Sequence, residues 1–139
     1  TSVHPHEVNL SVVNQIRNAN AVGMPVFLCT NQPAIAKGFV TMEQTHKVHN
    51  DLQAILRSFG ARLDDFLMCP HHPEAGHAGE VEQLKVPCDC RKPGVGMLLR
   101  AEMLHGIALD KSSVLLGDSD VDRQTAQNAG IQFLSVDSL

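Results

Sequence analysis

Two tight pairs, Cys69-x-His71 and Cys88-x-Cys90, carry the most specific chemistry in the sequence. Three thiolates and one imidazole form a closed tetrahedral zinc set, which leaves no position for water and so holds a loop rather than reacting. Sixteen residues separate the pairs, and the one-residue spacers differ from those of common zinc fingers. His72 is an alternative to His71 as the fourth ligand. The competing readings are unrelated cysteines or a Cys88–Cys90 disulfide. His77 reads as a solvated loop residue, and Cys29, inside an apolar run, as a small buried hydrophobe.

A second group of residues suits phosphate. Arg91-Lys92-Pro93 follows the last thiolate, so a metal clip would fix the lysine as an anchor for negative charge. Arg91 adds a bidentate fork. Taken alone, the pair reads first as a solvated basic dipeptide. Thr30-Asn31 offers a hydroxyl and backbone N–H groups directly after an apolar run, where a phosphate oxygen or a simple turn would sit. In Gly117-Asp118-Ser119-Asp120-Val121-Asp122, three carboxylates crowd the end of another apolar run and suit a hard cation such as Mg²⁺. Asp118 ranks first as the direct ligand. Asp120 falls where a helix cap is expected, and Asp122 either supports Asp118 or reaches the ion indirectly.

The elements that must position these groups follow from periodicity. Residues 9–22 read as a helix with Val12, Val13, Ile16 and Ala19 on its apolar side, stopped by Gly23. Pro25–Cys29 and Asp65–Cys69 are short apolar runs typical of strands buried on both faces. Thr41-Met-Glu-Gln44 has the form of a capping box and opens a helix to about Phe59, closed by Gly60. Residues 70–93 are rich in Pro, Gly, His and charge, and so long an irregular insert is usually functional or clipped by a metal. Helices are expected over Gly96–His105 and Asp120–Asn128, and strands over Ser113–Leu116 and Ile131–Val136. Alternating strands and helices predict a Rossmann-like α/β domain: three layers, with a parallel sheet covered by helices on both faces and a zinc-binding loop inserted at 69–90. In such sheets ligands bind at the carboxyl ends of strands, where Thr30-Asn31, Cys69 and Asp118 all fall.

Bulk properties set the bounds. The chain has 139 residues, enough for one domain with one core, and 43% are hydrophobic. Eleven basic and fifteen acidic residues give a formal charge of -4, and there is no Trp or Tyr. Both facts count against a nucleic-acid binder. No apolar run approaches the ~20 residues that span a bilayer, so no membrane partner is expected. Ligand-like cysteine spacing favours reduced thiolates and a cytoplasmic setting.

Together these segments resemble the haloacid-dehalogenase superfamily of phosphatases, within it the heptose bisphosphate phosphatases and the related histidinol-phosphate phosphatases. The matching stretches are Phe27–Gly38, Cys69–Glu74, Cys88–Pro93 with Gly96–Leu98, and Leu116–Asp122, in the family's order and spanning nearly the whole chain. The Cys-Asp-Cys-Arg-Lys-Pro segment is the most specific. The resemblance implies Mg²⁺-dependent hydrolysis of a sugar bisphosphate through an aspartyl-phosphate, with a second aspartate as acid and base. It makes Thr30 the phosphate-binding hydroxyl and Lys92 the lysine that stabilises the transferring phosphoryl group. Asp118 becomes the Mg²⁺ ligand, and Arg91 helps to recognise the rest of the substrate; Asn31, beside Thr30, is a further candidate for holding phosphate. The zinc loop, its spacer long, points to the heptose branch and hence to a lipopolysaccharide-precursor step. Pro33-Ala34 stands where the family commonly has Ser-Gly. The implied partner is a small phosphorylated sugar, and a monomer is expected.

The family opens with a strand ending in Asp-x-Asp-Gly, which supplies the nucleophile and the acid/base. Residues 1–25 do not match it, and the chain starts with Thr1. The expectation is a single domain over 1–139 that begins one strand late, with a central strand absent, and that is poorly stable and inactive alone. The competing reading is a non-catalytic relative that binds a phosphorylated ligand or a partner.

Overall fold

The computed structural model describes residues 8–31, 41–69 and 90–139. Helix α1 (Leu10–Ala21) starts at Asn9, whose side chain accepts from the Ser11 and Val12 N–H groups. Strand β1 covers Phe27–Asn31 and strand β2 covers Asp65–Cys69. They pair in parallel, from Phe27 opposite Asp65 to Asn31 opposite Cys69. Between them runs α2 (Met42–Ser58), with the expected capping box formed in full: Gln44 N–H donates to Thr41 Oγ1, and Thr41 N–H to Gln44 Oε1. Val13 of α1, Leu56 of α2, Ala61 and Leu63 form one buried cluster, with Leu28 and Phe66 of the strands packed on it.

Helix α3 (Gly96–His105) ends at Gly106, left-handed at φ 62° as the stop requires. Its Met97 and Ala101 join Leu67 and Cys69 of β2 in a second cluster, flanked by Phe27, Cys29 and Cys90. Strand β3 (Val114–Gly117), helix α4 (Asp120–Ala129) and strand β4 (Gln132–Ser135) complete the order, followed by a 3-10 turn at Val136–Ser138. β3 and β4 are parallel, Val114 opposite Gln132.

Three expectations need correction. The single sheet is, among the described residues, two parallel pairs, β1–β2 and β3–β4, with no ladder joining them. The pairs meet instead through side chains: Cys29, Met97, Leu98, Leu115 and Thr125 surround an apolar void of about 10 Å³. Every residue of β1 is half-buried rather than buried; among the described residues β1 is hydrogen-bonded along one edge, which keeps part of its surface accessible. Finally, β1 runs two residues past its apolar stretch, since Thr30 and Asn31 continue the ladder opposite Met68 and Cys69. Pairing with β2 outweighs the low strand preference of asparagine. The insert at 70–89 lies outside the described residues.

Candidate functional site

Strand direction puts Asn31, Cys69 and Gly117 at the carboxyl ends of β1, β2 and β3, and the segment from Cys90 to Pro93 passes among them. Lys92 is the centre. Its backbone is gripped by the Asn31 side-chain amide, where Lys92 N–H donates to Asn31 Oδ1 at 2.9 Å and Asn31 Nδ2 donates to the Lys92 carbonyl at 3.3 Å. Asn128 of α4 donates to the next carbonyl, that of Pro93, at 3.0 Å. The segment is therefore fastened to both strand pairs. Asn31, expected at the substrate, has its amide spent on the backbone of Lys92.

The Lys92 ammonium lies 2.6 Å from Asp122 Oδ1, and both side chains are largely buried. Asp122 sits in the first turn of α4. Its other oxygen accepts from Ser119 Oγ at 3.0 Å, while its N–H donates back to that oxygen at 3.2 Å. Burial works against the charged carboxylate, but the Lys92 ammonium, the Ser119 hydroxyl and the Asp118 N–H together hold Asp122 below the usual carboxylate range. Room for this arrangement comes from Gly117, where a Cβ would stand 2.6 Å from both Cβ and Oδ2 of Asp122. The helix cap is thus Ser119, not Asp120, which is the first helical residue and exposed. A serine three residues before an acid is the sequence signal that identifies it.

Burial also raises the Cys29 thiol to about 11, with Lys92 opposing and Asp122 and Asp65 adding to the shift. Cys29 is a protonated wall residue, as its apolar surroundings imply. Thr30 Oγ1 reaches the Asn31 carbonyl at 3.3 Å. Asp118, directly after β3, is exposed.

For metals, the donors present are informative. Cys69, 0% exposed, and Cys90 place their sulfurs 2.8 Å apart without being joined as a disulfide. Two of the four expected zinc ligands are thus together, while His71 and Cys88 lie outside the described residues. Among the described residues, no group of three or more His, Cys, Asp or Glu side chains forms a metal cluster. For a hard cation, the exposed Asp118 oxygens have the right chemistry. Asp122 is occupied by Lys92 and supports the turn instead.

The HAD-hydrolase-like family pattern matches residues 89–138, which hold Lys92, Asp118 and Asp122. A D-glycero-beta-D-manno-heptose-1,7-bisphosphate 7-phosphatase of Rhodopseudomonas palustris is 38% identical over 84% of this chain and 62% of its own length. A probable D-glycero-D-manno-heptose-1,7-bisphosphate 7-phosphatase of Thermoplasma acidophilum is 30% identical over 87% of this chain and 69% of its own. The D,D-heptose 1,7-bisphosphate phosphatase of B. bronchiseptica, crystallised with magnesium and phosphate, superposes with a TM-score of 0.74 at 27% identity. That match covers 93% of this chain and 66% of the other. The chain therefore spans about three fifths of the Rhodopseudomonas relative. Among the described residues, no helix is long and apolar enough to cross a membrane.

Proposed function

The chain belongs to the haloacid-dehalogenase-like hydrolases, and from that membership we propose that it forms the phosphate-handling part of a sugar-bisphosphate phosphatase of the D-glycero-D-manno-heptose 1,7-bisphosphate type. The observation that carries this reading is the Lys92 ammonium, held at the carboxyl ends of β1 and β3 by Asp122 and by the Asn31 clamp. A fixed cation there offsets the charge that grows on a phosphoryl group in transfer, and a preorganised charge needs no rearrangement during reaction. The Thr30 hydroxyl donates to a phosphate oxygen, and Arg91 contacts the remainder of the substrate with its planar fork. Asp118 holds Mg²⁺, which when bound screens phosphate charge and orients the group. Cys69, His71, Cys88 and Cys90 hold a structural zinc that ties the end of β2 to the Lys92 segment. The attacking aspartate is not assigned to Asp118 or Asp122, since the first is given to the cation and the second to Lys92.

The test is phosphate release from the alpha and beta heptose 1,7-bisphosphates and from histidinol phosphate by the gene product that contains these residues. Lys92→Met is expected to lower kcat by about a hundredfold or more, the loss seen when one stabilising donor is removed. Faster turnover of histidinol phosphate than of either heptose would overturn the substrate, and undiminished kcat in Lys92→Met would overturn the role of the lysine.

A further inference from the structure

A second cluster of positive charge lies at the other end of the strands, and nothing in the proposed chemistry uses it. Asn20, Arg57, Gly60, Ala61 and Arg62 line an open surface depression of about 350 Å³. Arg17 borders it, its Nε 3.7 Å from where a Cβ on Gly60 would stand. This end is fixed by the strand starts: the Asp64 N–H donates to the Val26 carbonyl, and the Val26 N–H to Asp64 Oδ2. Both residues precede β1 and β2, whereas Lys92 lies past the carboxyl ends.

Two exposed arginines, Arg57 and Arg62, therefore line the depression and a third, Arg17, borders it, in a chain whose formal charge is -4. Arg62 has a loose partner, with its Nε 3.8 Å from Asp64 Oδ1. Arg17 and Arg57 have no ion pair among the described residues. The floor is rigid, because the Asn20 amide holds Arg62 by two bonds: Arg62 N–H donates to Oδ1 at 2.9 Å, and Nδ2 donates to the Arg62 carbonyl at 3.1 Å. Gly60, left-handed at φ 77°, turns the chain sharply at the end of α2 and leaves the space open.

We infer that this open depression is a second anion site, suited to the phosphate group of a small phosphate ester. Like charges gathered on one patch of surface are relieved by a multiply charged anion. Planar guanidinium forks match phosphate in bidentate fashion. The volume is at the lower end of the range for small-molecule pockets. No aromatic residue lines it, so it lacks the stacking platform that a single-stranded nucleic acid uses.

The test is titration of the isotope-labelled gene product that contains these residues with inorganic phosphate and with glucose 6-phosphate at fixed ionic strength, following the backbone amides of Gly60, Ala61 and Arg62. Saturable shifts are expected with both probes. Arg57→Gln should weaken them about tenfold, the loss of one charge-assisted hydrogen bond. Arg17→Gln on α1 gives an independent second variant should the first disturb α2. Shifts that do not saturate, that chloride reproduces, or that survive both substitutions would overturn the site. So would a response to vesicles of anionic lipid without any to glucose 6-phosphate, which would make the patch a membrane contact.

Discussion

Asp122 is the residue on which the crevice turns, because it is a buried carboxylate whose charge is matched by a single ammonium, a hydroxyl and a backbone N–H. Replacing Asp122 by Asn leaves Lys92 without its counter-charge in a place of low solvent access. The expected cost is about 2–3 kcal/mol, slightly below the range for breaking a fully buried pair because some exposure remains. Since its pKa is depressed in the fold, the stabilisation is complete above the unfolded carboxylate value near 3.9 and is lost as pH falls through the folded one. Thermal unfolding measured from pH 5 down to pH 2 should show the midpoint dropping in the native chain and much less in Asp122→Asn. Equal slopes for the two would remove Asp122 as the source. Asn31 makes the complementary case, because its effect passes through another residue. Asn31→Ala should weaken phosphate binding while leaving the Thr30 hydroxyl in place, and Asn31→Asp, which keeps only the acceptor for Lys92 N–H, should recover part of the loss. Recovery equal to zero in phosphate titrations would argue that Asn31 meets the ligand itself. This clamp was illegible in the sequence: Asn31 and Lys92 are sixty-one positions apart, and nothing local distinguishes an asparagine that binds substrate from one that binds backbone. The place of Asp118 just past β3 was legible, because the end of an apolar run is a local signal; Lys92 follows no such run and is singled out by the family resemblance.

At the scale of elements, local chemistry predicted starts and stops better than edges. The Thr41–Gln44 box and the left-handed stop at Gly106 were readable because each depends on residues within a few positions. The split of the strands into two pairs was not, because periodicity reports which faces are apolar and not which edges meet. Two elements carry predictions of their own. Between β3 and α4, Gly117→Ala would drive a Cβ to 2.6 Å from Asp122. Because the first atom struck belongs to the helix and not to a flexible tip, α4 must shift. A loss of about 1–3 kcal/mol is expected, as for overpacking elsewhere, with weaker phosphate binding alongside. An unchanged melting curve would mean that the turn has slack. Between α2 and β2, His49 stacks on Phe66 with ring centres 4.7 Å apart and is 7% exposed. Burial, then the neighbouring His46, hold its pKa below 6.5. A depressed histidine binds its proton more readily in the unfolded chain, so stability is fully present above the unfolded value and falls as pH drops below about 6.5. His49→Phe keeps the stack and removes the proton. Its unfolding midpoint should stay flat between pH 7 and pH 5.5 where that of the native chain declines, and parallel declines would exclude His49.

For the whole molecule, the question is what makes two strand pairs one body, since no backbone ladder joins them among the described residues. Beside the apolar contacts of Cys29, Met97, Leu98, Leu115 and Thr125, the polar contacts that do so run through a short stretch, Cys90 to Pro93. Cys90 meets Cys69 at the end of β2, Lys92 is gripped by Asn31 of β1 and bonded to Asp122 of α4, and Asn128 of α4 holds the Pro93 carbonyl. A metal bound by Cys69 and Cys90 would anchor this stretch at its beginning, so that metal binding, the position of Lys92 and the cohesion of the two halves are linked. Because thiolate ligands must be deprotonated and brought together, the binding free energy of such a metal adds to folding free energy. The chain purified under reducing conditions should therefore contain about one zinc, and Cys90→Ser should contain none. Removing the metal with a chelator should lower the unfolding midpoint and weaken phosphate binding at the crevice together, and restoring zinc should return both. The paired readout is what separates this from a merely local clip: a clip confined to the insert would change metal content and local stability while leaving phosphate affinity at Lys92 where it was. A zinc-free preparation with the same midpoint and the same affinity as the zinc-loaded one would dismiss the metal altogether, and Lys92 would then owe its position to Asn31 and Asp122 alone.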